Sequence, residues 1–258
     1  MEQPDLTAIA SSMPVLHRRA EFESVLEGYR MSEQALKTLR RTPFILVVGA
    51  SGGGRNTLIE HLVQTGNYHY VVSDTTRPLR VRNGVPIEQN GVQYFFRRED
   101  EVLEDLKQGK FVEAQLIHNQ QVSGISVREI EKAFNSRKLA ITDIEVQGCA
   151  TLERVKPDVI SIFVLPPSFE VWMERLKSRV KLSDAEVKNR LETAIDNFNA
   201  ALQDDRFIFI VNDKIEDAVR TVDEIARLGK HRQMVEQQAH DLAAHLRDEA
   251  QEYIKSLE

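Results

Sequence analysis

Five apolar residues, Phe44-Ile-Leu-Val-Val48, run straight into Gly49-Ala-Ser-Gly-Gly-Gly-Arg-Asn-Thr57 and on into Leu58-Ile-Glu-His-Leu-Val63. A buried strand, a glycine-crowded turn and a helix in that order leave few folds open. Glycines let successive backbone N–H groups turn inward as an anion nest, and the helix that follows adds the positive end of its dipole. A polyphosphate suits such a nest. The stretch matches the phosphate-loop pattern G-x-x-x-x-G-K-[ST] at Gly49 and Gly54, with Arg55 and Asn56 in its last two positions. Arg55 keeps a cation there, although a planar fork is not a compact ammonium. Asn56 offers a metal ion a neutral amide oxygen, with the Thr57 hydroxyl beside it. A glycine turn ahead of a helix is also compatible with a plain structural connection, so the remainder of the chain has to decide.

The chain of 258 residues is 41% hydrophobic, enough for one sizeable core with appended helices. Its formal net charge of −6 argues against nucleic acid or an anionic membrane as the main partner. The single cysteine, Cys149, permits no intrachain disulfide and no multi-cysteine metal site, which makes a reducing cytoplasm the expected location. Cys149 itself reads as a small residue near a helix start, and the histidines show no metal-ligand spacing. No apolar run reaches the length of a membrane span, and Met1 to Pro14 lacks the basic start and long apolar centre of a leader.

Between His17 and Arg41, apolar positions at Phe22, Val25, Leu26, Tyr29, Leu36 and Leu39 recur at helical spacing, broken near Gly28 to Ser32; two short helices fit, with a solvated basic end at Arg40 and Arg41. Downstream of the glycine turn, Tyr68 to Ser73, Gln93 to Phe96, Phe111 to Ile117, Leu139 to Val146, Val159 to Leu165 and Phe207 to Val211 read as strands. Glu101 to Gly109, Arg128 to Phe134, Glu170 to Arg179 and Ile215 to Leu228 read as helices, with another starting near Ala150. This alternation predicts a parallel sheet with helices on both faces, the α/β architecture of a P-loop NTPase. From Lys230 to Glu258, apolar residues at intervals of three and four predict a long amphipathic helix. It can fold back on the core, pack on the N-terminal helices, or pair two copies as a homodimer.

Three groups of side chains suggest chemistry. In Ser73-Asp-Thr-Thr-Arg77-Pro-Leu-Arg80, hydroxyls stand beside two arginines whose forks match phosphate oxygens bidentately. The strand ending at Asp143 and Glu145 puts acids where an open α/β sheet has its ligand crevice. Arg175 and Arg179, four apart on one helix face, are followed beyond the polar linker Lys181 to Ala185 by Arg190, an arrangement suited to a mobile flap. Trp172 packs beside that flap helix.

The ordered series resembles guanylate kinase and the guanylate-kinase-like domains over roughly residues 43–228. The resemblance rests on the glycine loop Gly49 to Thr57, Ser73 to Arg80, Gly91-Val-Gln-Tyr94, Phe111-Val-Glu113, Asp143-Ile-Glu-Val-Gln-Gly148, Arg175 to Arg179 with Arg190 beyond, and Val211-Asn212-Asp213. It implies a kinase that transfers the γ-phosphoryl group of ATP, with Mg²⁺, to GMP. ATP would lie on Gly49, Ala50, Ser51, Gly52, Gly53, Gly54, Arg55, Asn56 and Thr57, with Arg175 and Asn212 on the adenine side and Asn56 at the metal. Ser73, Arg77, Arg80 and Tyr94 would hold the acceptor phosphate, Glu113 would read guanine through its N–H edge, and Asp143 would lie beside the acceptor. Arg55, Arg179 and Arg190 would act on the transferring group. The implied organisation is an N-terminal helical extension at 1–42 and a kinase-like domain at 43–228. Within that domain lie an inserted acceptor subdomain at about 74–127 and a flap at about 178–190, and a C-terminal helix follows at 229–258.

Two departures qualify this. Arg55 and Asn56 replace the usual lysine and hydroxyl, and the family's Tyr-Gly-Thr/Ser element is here Ser123-Gly124-Ile125, which removes a tyrosine hydroxyl from the acceptor phosphate and a hydroxyl from base reading. A binding domain that has lost the reaction and keeps the phosphate cradle for anions is the rival reading, and a kinase of another phosphorylated small molecule is a third.

Overall fold

The computed structural model describes residues 16–82, 84–117, 119–178, 182–228 and 233–257. Along the chain run α1 (Arg19–Glu27), α2 (Glu33–Arg41), β1 (Phe44–Val48), α3 (Arg55–Gln64), β2 (Tyr68–Tyr70), β3 (Asp74–Thr75), β4 (Val81–Arg82), β5 (Val85–Pro86), β6 (Phe95–Phe96), α4 (Glu99–Lys107) and β7 (Phe111–Ile117). Then come β8 (Gln121–Ser126), α5 (Val127–Asn135), β9 (Leu139–Asp143), α6 (Val146–Val155), β10 (Ile160–Leu165), α7 (Phe169–Ser178), α8 (Asp184–Leu202), β11 (Phe207–Val211), α9 (Ile215–Leu228) and α10 (Gln233–Lys255). These form two compact units. The larger combines Pro43–Tyr70 with Ser136–Glu258; the smaller combines the chain up to Thr42 with Val71–Asn135.

The larger unit is built on a parallel five-stranded sheet in the order β11-β10-β1-β9-β2. Its central strand is β1, buried at every position, which is why Phe44–Val48 reads as an unbroken apolar run rather than an alternating one. Ile45, Val47, Ile162 and Val164 meet Leu58 and Leu62 of α3 and Val222 and Ile225 of α9. Phe163, pointing the other way, packs its ring 5.2 Å from Phe198 of α8 and 5.4 Å from Phe209. Helix α10 folds back within this unit, against α8, β11 and α7, and buries Ala239, Ala243, Leu246 and Ala250. Folding back on the core is what the described residues show for that amphipathic stripe.

The smaller unit carries a mixed sheet, β6-β3-β8-β7, in which the β7–β8 hairpin is antiparallel. Phe22 of α1 is fully buried among Val102, Leu103 and Leu106 of α4 and Phe111 and Val122 of the sheet. The N-terminal helices thus belong to this unit's core. Strand β8 and the small β4–β5 hairpin have no counterpart in the sequence reading. Three strands are shorter than they read: the first stops at Tyr70 rather than Ser73, the second keeps only Phe95–Phe96 with an isolated Asn90–Tyr94 bridge beside it, and the strand from Leu139 stops at Asp143 rather than Val146. Helix α6 starts at Val146, not near Ala150, because Glu145 O accepts from both Gly148 N and Cys149 N and closes a first turn that includes the poor helix former Gly148.

Candidate active site

Between β1 and α3 the chain turns over Gly49 to Gly54. Gly49, Gly52 and Gly54 take φ of 146°, 87° and 97°, and a Cβ on Gly49 would stand 2.6 Å from the Val164 carbonyl oxygen, so glycine is required there on both counts. The carbonyls of this turn are tied down. Ala50 O accepts from Gly53 N at 3.0 Å, Ser51 O from the Trp172 indole at 2.8 Å, Gly53 O from the Asn212 amide at 3.3 Å, and Gly54 O from Leu58 N at 3.0 Å. In a trans peptide the C=O and the following N–H point opposite ways. Each tethered carbonyl therefore aims the next amide away from its tether. The N–H groups of Ser51, Gly52 and Gly54, and those of Arg55 to Thr57 in the first turn of α3, donate to no acceptor among the described residues. What the turn presents is a row of donors at a helix N-terminus, the physical requirement for binding a polyphosphate.

Cations surround that row. Arg190, in the second turn of α8, donates from Nη1 to Ser51 Oγ at 3.1 Å. A capping box formed by Ser183 and Glu186 fixes the start of this helix. Arg175 of α7 donates to Asn212 O at 2.9 Å, and Asn212 N donates to Leu165 O at 2.7 Å. Gly52, Gly54, Thr57, Arg175, Asn212 and Asp213 line a cavity of about 320 Å³. Arg55 is half-buried, and its side chain makes no hydrogen bond or ion pair among the described residues; Asn56 and Thr57 are exposed. Arg179 lies outside the described residues. Asp143, the last residue of β9, sits opposite Val47 in register and accepts from the Tyr70 hydroxyl at 2.7 Å, so it belongs to the same unit as the glycine turn.

The remaining candidates lie in the smaller unit. The Arg77 guanidinium is not free: it forks onto Glu88 with two bonds of 2.7 and 2.6 Å, donates to Pro78 O, and lies 4.9 Å from the Tyr94 ring centroid. Both partners are about nine-tenths buried, at 10% and 9% side-chain exposure. The fork holds the Glu88 carboxyl below the usual carboxylate range, against a smaller opposing push from burial. Arg80, largely exposed, donates its backbone N–H to the same carboxylate. Glu88 was not singled out in the sequence; its position between two arginines and an aromatic pair was the available signal. Ser73 is half-buried, and no described residue engages its hydroxyl. One residue on, buried Asp74 accepts from Arg97 and Arg128 at 2.8 and 2.7 Å, fixing β3 to the chain ahead of α4 and to α5.

Glu113 sits just past a bulge in β7, where the register with β8 shifts between Phe111 and Glu113, and such a bulge re-aims the side chain that follows it. The Tyr29 hydroxyl secures the bulge by donating to Phe111 O at 2.6 Å and accepting from Phe111 N at 2.8 Å. Burial pushes the Glu113 carboxyl up to about 7, only partly offset by a hydrogen bond from Gln115. Its cross-strand partner is Ile125, which is buried. Ser123 donates to Thr75 Oγ1 at 2.8 Å, and Ser126 accepts from Arg128 N. Ser123 thus has its proton committed, whereas the Ser126 hydroxyl donates to no acceptor among the described residues.

A family model described as guanylate kinase matches residues 40–228 of this chain. The chain belongs to the guanylate kinase family. Among curated relatives, a guanylate kinase of Legionella pneumophila (strain Lens) is 32% identical over 199 residues, covering 77% of this chain and 90% of that protein. A guanylate kinase of Nostoc sp. is 34% identical over 205 residues, covering 77% of this chain and 98% of that protein. The crystal structure of guanylate kinase from Anaplasma phagocytophilum superposes with a TM-score of 0.51 at 24% identity, covering 76% of this chain and 90% of that one, which supports the fold. Membership of the guanylate kinase family accounts for the parallel sheet and the glycine turn together. The buried Cys149, whose thiol burial pushes up, has no place in this chemistry.

Proposed function

We propose that this chain transfers the γ-phosphoryl group of ATP to GMP. The observation that carries the reading is the Gly49–Thr57 turn: its carbonyls are held by donors, its amides are left over, and Arg190 already reaches Ser51. A module that bound anions only at the acceptor cradle would have no use for an arginine brought to the donor loop by a separate helix.

In this reading the amides of Ser51, Gly52 and Gly54 to Thr57 hold the β- and γ-phosphates, Arg55 adds a cation, and Arg175 and Asn212 shape the nucleoside side. Arg190, together with Arg179, neutralises charge on the transferring group; phosphoryl transfer depends on such positioning more than on covalent chemistry. Glu113 accepts the two N–H donors of the guanine edge, for which it must be ionised. Ser73, Arg80 and Tyr94 receive the acceptor phosphate, while Arg77 shares its fork with Glu88. Asp143 acts beside the acceptor.

No three His, Cys, Asp or Glu residues among the described residues cluster as a metal cage. Mg²⁺ that arrives on a nucleotide keeps phosphate and water ligands and needs little from the protein. The exposed amide oxygen of Asn56 fits that need. When bound, Mg²⁺ would neutralise charge on the β- and γ-oxygens.

The sealed Arg77–Glu88 pair favours one alternative, a domain that binds a guanine nucleotide and does not turn it over. ADP release by the purified chain with MgATP and GMP, AMP, UMP or no acceptor separates the two. Turnover confined to GMP is expected; GMP binding with no turnover on any acceptor would establish the alternative.

A further inference from the structure

We infer that Trp172 is a positioning residue for phosphate binding: its indole N–H locks the Ser51–Gly52 peptide in the orientation that a nucleotide requires. The inference rests on the phosphotransfer reading above.

Trp172 of α7 touches the glycine turn twice. Its Nε1 donates to Ser51 O at 2.8 Å, and its ring lies so close to Gly52 that a Cβ there would stand 3.2 Å from Cδ1. The peptide between these residues is the one at risk. Gly52 has φ of 87° and is followed by two more glycines, so rotating this peptide meets little steric resistance from the chain itself. Rotation would swing the Ser51 carbonyl towards the phosphate and take the Gly52 N–H away, exchanging a donor for a repulsive acceptor. With the carbonyl pinned to the indole, trans planarity keeps the Gly52 N–H on the opposite side.

The indole is itself held. It is buried, with Phe169 edge-on at 5.8 Å and Phe198 of α8 at 5.7 Å, and Tyr253 of α10 backs Phe169 at 5.8 Å. Ser51 is thereby gripped at both oxygens. The carbonyl is held by α7, and the hydroxyl by Arg190 of α8, the helix whose Phe198 touches the same indole. Of the apolar side chains that could fill this space, only tryptophan and tyrosine bring a donor at the tip.

Trp172→Phe keeps an aromatic ring and removes the N–H. Losing one such bond should raise KM for ATP about three- to ten-fold and leave KM for GMP unmoved. Far-UV circular dichroism checks that the variant folds. Unchanged KM for ATP in a folded, active variant, or equal rises for both substrates, would overturn the inference. A second measurement uses the unaltered protein, where Trp172 is the sole tryptophan. A non-hydrolysable ATP analogue with Mg²⁺ should shift its emission, and GMP alone should not. Unchanged emission at calorimetric saturation with the analogue counts against the lock. Failure of the wild-type chain to release ADP with GMP would instead reject the phosphotransfer reading, so the two failures are distinct.

Discussion

Glu113 concentrates the chemistry of base recognition into one titratable group. With the carboxyl raised to about 7 by burial, the ligand-free protein holds a proton there that the unfolded chain releases near pH 4.5. Stability from this group therefore falls as pH rises from about 4.5 to 7. Guanine binding has the opposite sign, because only the carboxylate accepts two N–H donors. KM for GMP should rise as pH drops below about 7, approaching ten-fold per unit well below it. Glu113→Gln should flatten that profile and cost about 10- to 100-fold in kcat/KM for GMP, the worth of hydrogen bonds to a charged group. A pH series of initial rates checks both. Arg77 was legible as an arginine beside hydroxyls, but the carboxylate that occupies it was not, since Glu88 lies eleven residues on, beyond a hairpin invisible to periodicity. Glu88→Gln should destabilise the protein by about 3 kcal/mol, by leaving a buried guanidinium without its countercharge. GMP should then raise the melting temperature more in the variant than in the parent. Equal stability and equal GMP shifts would remove Glu88 from this role.

The elements that hold the donor loop were the clearest in the sequence. An apolar run, a glycine cluster and an apolar helix each carry a local signature, which is why β1 and α3 fall where they were expected. Two-residue strands such as β3 and β6 carry no such signature; their pairing comes from tertiary contacts. For α10 the stripe at intervals of three and four announced a helix with one buried face, but a stripe does not specify what covers it. The structure assigns that face to α7, α8 and β11, so the helix braces the elements that carry Arg175 and Arg190. Leu246, fully buried in that contact, should lose about 2–5 kcal/mol on replacement by alanine. Urea denaturation measures it, and a loss under 1 kcal/mol would mean that α10 packs loosely. Arg190→Ala should cut turnover by about 10³-fold with little effect on GMP binding, as loss of a finger-like arginine does elsewhere. An unchanged rate would take α8 out of the reaction.

At the scale of the molecule, the candidate residues fall into two groups, one in each unit. The glycine turn, Arg175, Arg190, Asn212 and Asp143 belong to the larger; Ser73, Arg77, Arg80, Tyr94 and Glu113 belong to the smaller. The order of motifs made the family legible. The place of α1 and α2 was not, because an amphipathic helix ahead of a domain can as well be an appendage; the burial of Phe22 and the Tyr29–Phe111 bonds show otherwise for α1, and the packing of α2 on α5 and β7 does so for α2. Arg55 and Asn56 stand in place of the usual lysine and hydroxyl, so the nest here is built of backbone. The most direct measurement follows the phosphoryl group itself, by mixing the chain with γ-labelled ATP, Mg²⁺ and GMP and identifying the labelled product. The account predicts label in the β-position of GDP, in step with ADP formation and absent when AMP replaces GMP. Label that stays on ATP, or that leaves only as inorganic phosphate while GMP is bound, would contradict it.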